Sequence, residues 1–167
     1  MAINSLASRR HILGWMTAGA AAVAVGWRIR PGEARAATVY PVHFTDAEWK
    51  KRLTPQQFSI LRQQSTEYPD SSPLNKEHRK GTFLCAADGS ALFSSATKFD
   101  SGTGWPSFWQ PLQRAVGTST DHELGYPRTE VHCLQCGGHL GHVFDDGPQP
   151  TGLRYCMNGA AMTFRAG

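Results

Sequence analysis

Two short helical signatures open the interpretable part of the chain, and short apolar and alternating segments fill the rest. Thr45-Asp46-Ala47-Glu48 has the form of a capping box, in which the Thr hydroxyl takes the N–H three residues on and the Glu reaches back. It predicts a short helix to about Leu53. Thr54-Pro55-Gln56-Gln57 repeats the device with Pro at the first helical position. Phe58 and Leu61, with the stem of Arg62, then give one apolar face, and the second helix ends near Gln64. Residues 37–44 read as an extended arm. Residues 65–80 hold Pro69, Pro73 and little periodicity, and read as loop.

From Gly81 the pattern changes. Residues 82–85 are apolar, Asp88-Gly89 signals a turn, and 91–93 follow as a second strand. Residues 129–133 alternate like a half-buried strand. Residues 139–144, 153–157 and 160–164 are further strand candidates, punctuated by glycines. No helical pattern separates these strands, which disfavours parallel βαβ units. The chain therefore reads as mainly β: a helical lead over 45–64 and an antiparallel β domain over 81–164.

The first 36 residues read differently. Ser8-Arg9-Arg10-His11-Ile12-Leu13 is a twin-arginine pair running into apolar residues, and Ala34-Arg35-Ala36 is a small-x-small cleavage pattern. This resembles a Tat-type export signal, which implies the twin-arginine export machinery as a partner and a periplasmic or extracytoplasmic destination. The competing reading is a membrane anchor. The weakly apolar stretch 15–27 would rise only about 20 Å as a helix, short of the ~30 Å hydrocarbon core.

That segment also dominates the charge. The whole chain has 17 basic and 13 acidic residues, and residues 1–36 contain five of the Arg and one Glu. The remaining 131 residues balance at 12 and 12, so the basic character gives no support to nucleic-acid binding. That length suits one domain, burying roughly two-thirds of its unfolded surface.

Four cysteines fall in this remainder: Cys85, Cys133, Cys136 and Cys156. An even count in an exported protein invites disulfides, but the spacing is not uniform. Cys133-Leu134-Gln135-Cys136 is a C-x-x-C knuckle. Cys156 sits in Arg154-Tyr155-Cys156-Met157-Asn158, just after Gly138-His139-Leu140-Gly141-His142-Val143-Phe144-Asp145-Asp146-Gly147. A nucleophilic thiol needs such company. At its ordinary pKa of about 8.5 it is only about 3% ionised at neutral pH. Arg154, two residues away on a strand, would share its face and favour the thiolate. His139 and His142 could be structural, a metal pair, or acids oriented by Asp145 or Asp146. The two aspartates also suit a turn. Ser101-Gly102-Thr103-Gly104-Trp105-Pro106-Ser107-Phe108-Trp109 presents an indole beside a tight backbone: a core tryptophan, or a hydrophobic wall for a small apolar group such as a methyl, in reach of a sulfur.

Together these runs resemble the methionine-R-sulfoxide reductases, the B-type family. The resemblance rests on 98–108, 133–148 and 154–158 and extends over about 45–164. It implies two antiparallel β-sheets with short N-terminal helices, and thiol-dependent reduction of methionine-R-sulfoxide in proteins or peptides. It implies Cys156 as nucleophile, Trp105 with Phe108 as the substrate wall, and His139, His142 and Asn158 at the sulfoxide oxygen. Asp146 would orient a histidine and Arg154 would favour the thiolate. The product on Cys156 would be a sulfenic acid, returned to thiol by a thioredoxin-like or other thiol reductant. No cofactor is required for the chemistry.

The chain departs from the family at three places. Thr103 stands where many members carry a resolving cysteine, so either Cys85 resolves the intermediate or an external thiol reduces it directly. Zinc-containing members use two C-x-x-C knuckles, but here the first reads Cys85-Ala86-Ala87-Asp88. A structural zinc would need Cys85, Asp88, Cys133 and Cys136, and carboxylate ligands are unusual in such sites. Gly159 stands where the family often has Ser. The rival from another class is a zinc-ribbon-like binding module, which gives no role to Cys156, Trp105 or the histidines.

Overall fold

Both capping boxes form. Thr45 caps α1 (Asp46–Arg52) and Thr54 caps α2 (Pro55–Gln63), each with its reciprocal side-chain bond. Phe44, just before the first cap, packs edge-on against Trp49 at 4.9 Å between ring centroids. That contact is a hydrophobic staple, which fixes how the chain enters the helix. The computed structural model describes residues 39–167. The twin-arginine segment read at 1–36 lies outside the described residues. α2 buries Phe58, Ile60 and Leu61, so Ile60 joins the face expected of Phe58 and Leu61. Arg62 packs its guanidinium over the buried Trp49 ring, and its Nη1 donates to the Cys136 carbonyl at 3.0 Å. Among the described residues no helix is long and apolar enough to cross a membrane.

Two antiparallel sheets follow. One orders its strands β2-β1-β9, from β1 (Gly81–Cys85), β2 (Ala91–Ser94) and β9 (Met162–Ala166). The other orders them β3-β4-β8-β7-β6-β5. Its strands are β3 (Lys98–Phe99), β4 (Ser107–Phe108), β5 (Val116–Asp121), β6 (Arg128–Cys133), β7 (His139–Phe144) and β8 (Arg154–Met157). The fold is mainly β with two short leading helices, as expected. Three strands were not legible in the sequence. β3 and β4 are two residues each, too short for any alternation to register. β5 is a polar edge strand, Val-Gly-Thr-Ser-Thr-Asp, with no apolar face to betray it. The closing strand starts two residues later than expected because Gly159–Ala161 form a turn of 3-10 helix.

The core is aromatic where the sheets meet. Phe93 stacks on Phe108 at 4.3 Å, and Phe83 meets Phe108 edge-on at 4.9 Å. Phe108 is fully buried in this cluster. The expectation that it contacts substrate is therefore corrected. Ser107 and Phe108 are adjacent on β4, so their side chains leave on opposite faces; Ser107 pairs with Cys156, and Phe108 fills the core. Phe108→Ala is expected to cost about 3–5 kcal/mol of folding stability in a denaturant titration. KM for a sulfoxide substrate should not change where the variant is still folded; a raised KM would return Phe108 to the binding site.

Candidate active site

Strand register assembles the site. β4 places Ser107 opposite Cys156, and β7 places His142 opposite Cys156 on the other side. β6 then sets Glu130 opposite His142, and β5 sets Ser119 opposite Glu130. Directly paired residues share a face, so five strands deliver a row of polar side chains across one sheet. His139 joins them through an irregularity. Residues three apart on a regular strand point to opposite faces. Between Val131 and His132 the β6–β7 register shifts, with Val131 opposite Gly141 and His132 opposite His139. The extra residue in β7 brings both imidazoles together, with ring centroids 5.3 Å apart. Gly141 makes this possible: a Cβ there would lie 2.2 Å from the Cys156 carbonyl oxygen of β8.

A pocket of about 150 Å³ opens over the row, lined by residues that include Trp105, Arg128, His142, Phe144, Cys156 and Asn158. That is roughly the room of five waters, at about 30 Å³ each. It suits a side chain, not a peptide. The indole Nε1 of Trp105 donates to the Glu67 carbonyl at 3.2 Å, which orients the ring. Asn158 is nearly enclosed. Its Oδ1 accepts from the Glu67 N–H at 3.0 Å and its Nδ2 donates to the Leu140 carbonyl at 3.1 Å. Gly159 follows because the space beside it is taken; a Cβ there would fall 2.0 Å from Ser72 Oγ.

Burial pushes the Cys156 thiol above its ordinary pKa; Thr103, Arg154 and Ser107 pull it down but do not win. Thr103 Oγ1 lies 3.8 Å from the sulfur, at the end of a hydroxyl chain through Ser101 to Ser107 with steps of 2.8 and 2.7 Å. Arg154 is one of the groups that pull the thiol toward its ionised form. Its guanidinium is gripped by Asp146 through two bonds of 2.8 Å and lies over the Phe144 ring. Asp146 therefore fixes the arginine and not a histidine, which corrects its expected role: it is far more exposed than either ring.

The histidines use carboxylates that the sequence reading missed. His142 Nε2 bonds Asp121 at 2.7 Å, and Arg128 pairs with the same carboxylate. The Glu123 N–H, His142 and Arg128 together hold Asp121 at about 2. Burial lowers the His142 pKa despite Asp121, so the free imidazole is neutral at pH 7. His139 Nδ1 bonds Glu130 at 2.8 Å, while its Nε2 is buried with no partner among the described residues. Burial alone would raise the Glu130 carboxyl, but His132, His139 and Ser119 hold it well below its usual range. His139 does not line the pocket itself; it packs against His142. A signal for Arg128 and Glu130 was present: they sit two apart on one strand, beside His132 on the same face.

The other three cysteines lie elsewhere. Cys85, Asp88, Cys133 and Cys136 present ligand atoms all within 4.8 Å of one another. Cys85 and Cys136 sulfurs are 3.7 Å apart, and Cys133 Sγ lies 3.3 Å from Asp88 Oδ2. A disulfide needs about 2.05 Å, whereas thiolates on a tetrahedral ion with bonds of about 2.3 Å stand about 3.8 Å apart. The donors thus fit a four-coordinate metal centre. It would tie β1 to the turn between β6 and β7, joining the sheets. Cys85 is buried here and absent from the pocket, so the structure does not bring it to Cys156.

Comparison with known proteins agrees with this geometry. The family model described as the SelR domain matches residues 53–166. The chain is 54% identical over 127 residues to the peptide methionine sulfoxide reductase MsrB of Leptospira interrogans, covering 75% of this chain and 97% of that protein. It is 52% identical over 124 residues to the protein of that name from Agrobacterium fabrum, covering 74% and 92%. It is 50% identical over 125 residues to that from Methanosarcina barkeri, covering 74% and 88%. The chain belongs to the SelR-domain family.

Alkylation of Cys156 by iodoacetamide, followed on its peptide by mass spectrometry, should rise with pH to a midpoint above that of an ordinary thiol. Arg154→Ala removes a pull toward the thiolate, so the midpoint should climb further. At neutral pH the rate should then fall about tenfold, one unit of pKa. A midpoint that stays put or drops would remove Arg154 from the thiol's electrostatics.

Proposed function

We propose that this SelR-domain chain is a peptide methionine sulfoxide reductase that acts on the R epimer with Cys156 as its nucleophile. The observation that carries this is the pocket wall itself, where the thiol, an oriented indole and a carboxylate-held imidazole converge. The sulfoxide methyl group packs on Trp105. The Cys156 sulfur takes the oxygen: the S–O bond of the substrate breaks, an S–O bond forms on Cys156, and the thiol proton ends on that oxygen. Methionine and a sulfenic acid result, with the substrate sulfur reduced by two electrons and Cys156 oxidised by two. Burial suits this, because the resting thiol keeps the proton that the oxygen must gain. His142 relays that proton as a general acid–base, and His139 Nε2 offers a further site for it. Arg154 and Thr103 stabilise the thiolate as it forms.

An external thiol then reduces the sulfenic acid, yielding water and a disulfide of the reductant. Thr103 occupies the position beside Cys156 but has no sulfur, and Cys85 is committed to the other cluster. A binding-module reading leaves the pocket residues without a task.

The finer proposal for the cluster is that Cys85, Asp88, Cys133 and Cys136 hold zinc. Its contribution is structural, cross-linking the two sheets. Export of the domain by a twin-arginine route, read from the sequence of residues 1–36, is likewise proposed.

With dithiothreitol and a peptide carrying separate R or S sulfoxide, turnover is expected on R alone, and Cys156→Ser should abolish it. Without reductant, mass spectrometry should find a sulfenic acid on Cys156. A Cys85–Cys156 disulfide would overturn direct reduction. Metal analysis of unstripped protein should give about one zinc per chain. Cys136→Ser should lose it and lower the thermal midpoint; substoichiometric zinc in wild type would count against the assignment.

A further inference from the structure

Glu67 has no part in the chemistry described above, yet it is a buried carboxylate one residue from the pocket wall, in the loop after α2. Its Oε1 accepts from the Gly159 N–H at 2.5 Å and its Oε2 from the Ala160 N–H at 2.9 Å. Those N–H groups open the short 3-10 helix Gly159–Ala161, directly after β8 and Asn158. A carboxylate bonded to backbone N–H groups is among the stronger hydrogen-bonded arrangements. The backbone of the same residue faces the site. Its N–H donates to Asn158 Oδ1 and its carbonyl accepts from Trp105 Nε1. The loop is secured again three residues later, where the Asp70 N–H donates to the Gly104 carbonyl at 2.8 Å.

We infer that Glu67 is the positioning residue of this site: its carboxylate clamps the loop to the end of β8, so that its own peptide groups set the Trp105 indole and the Asn158 amide. The inference rests on the reductase reading. Without the carboxylate, the Gly159 and Ala160 N–H groups lose their acceptor and the loop loses two of its ties. The indole would then be free to shift, and a misplacement of about 1 Å can cost a reaction about 100-fold. The thiol is insulated from this. The groups that tune Cys156 are Thr103, Arg154 and Ser107, none of which bonds Glu67.

The test compares wild type, Glu67→Ala and Glu67→Gln. The readouts are turnover of an R-sulfoxide peptide, Cys156 alkylation, and the Trp105 indole N–H resonance, assigned with Trp105→Phe. Glu67→Ala should lower kcat/KM by about 100-fold, mainly through KM. Alkylation should stay within about twofold, and the indole resonance should move upfield as its bond to the loop is lost. Glu67→Gln keeps one acceptor and should recover most of the loss. An alanine variant with unchanged kcat/KM and an unmoved indole would overturn the inference. Turnover and alkylation falling in parallel would overturn it too, since that is general loosening. Should Glu67→Ala fail to fold, Glu67→Gln decides: a few-fold loss with a shifted indole supports the clamp, and no change refutes it. Wild type inactive on both epimers would sink the reductase reading, while the resonance would still report on the clamp.

Discussion

The position of β8 between β4 and β7 is the constraint on which the site depends. Cys156 lies opposite Ser107 on one side and His142 on the other. Side chains on a strand alternate between faces, so a slip of one residue would turn the sulfur into the aromatic core and bring Tyr155 or Met157 to the pocket. Two features hold that register. Met157 is fully buried on the opposite face, which anchors β8 to the core. Gly141 lets β7 lie against the β8 backbone where no larger residue fits. The polar row is thus fixed by packing beneath it as much as by any polar contact within it.

Burial sets the protonation states in the pocket. It raises the thiol and lowers His142, and both effects favour the neutral form. The charges are placed one step back. Asp121 is ionised against Arg128, and Glu130 is ionised against the imidazoles and a serine hydroxyl. The thiol therefore rests protonated beside a neutral imidazole. Environments that push neighbouring pKa values apart are how one fold assigns acid and base roles. Here Arg154 opposes that burial, and Asp146 outside the pocket keeps the guanidinium in place.

Much of this was legible in the chain. Both helices carried their start signals locally, in Thr45, Glu48, Thr54 and Gln57, and those signals formed as written. Cys156, Trp105, His142 and Asn158 converge on one pocket as the resemblance implied. What could not be read was set by partners distant in sequence. Asp121 and Glu130 act on His142 and His139 only through a hairpin and a register shift, and β5 has no apolar pattern to announce it. Asp146 and Phe108 were misjudged for a related reason. Proximity in sequence to the histidines and to Trp105 suggested shared duty, but strand alternation turns Phe108 into the core, and Asp146, past the end of β7, pairs with Arg154 instead. Glu67 bonds residues more than ninety positions away, and no local pattern marks it.

Gly159 and Ser72 meet where the loop closes over the end of β8, and the gap between them admits one small side chain only. The two positions are therefore sterically coupled although far apart in the chain. A serine at 159 would be tolerated only in a chain that has first emptied position 72. Exchanges at this seam would be expected to travel as reciprocal pairs, so that each substitution is neutral or harmful according to which came first.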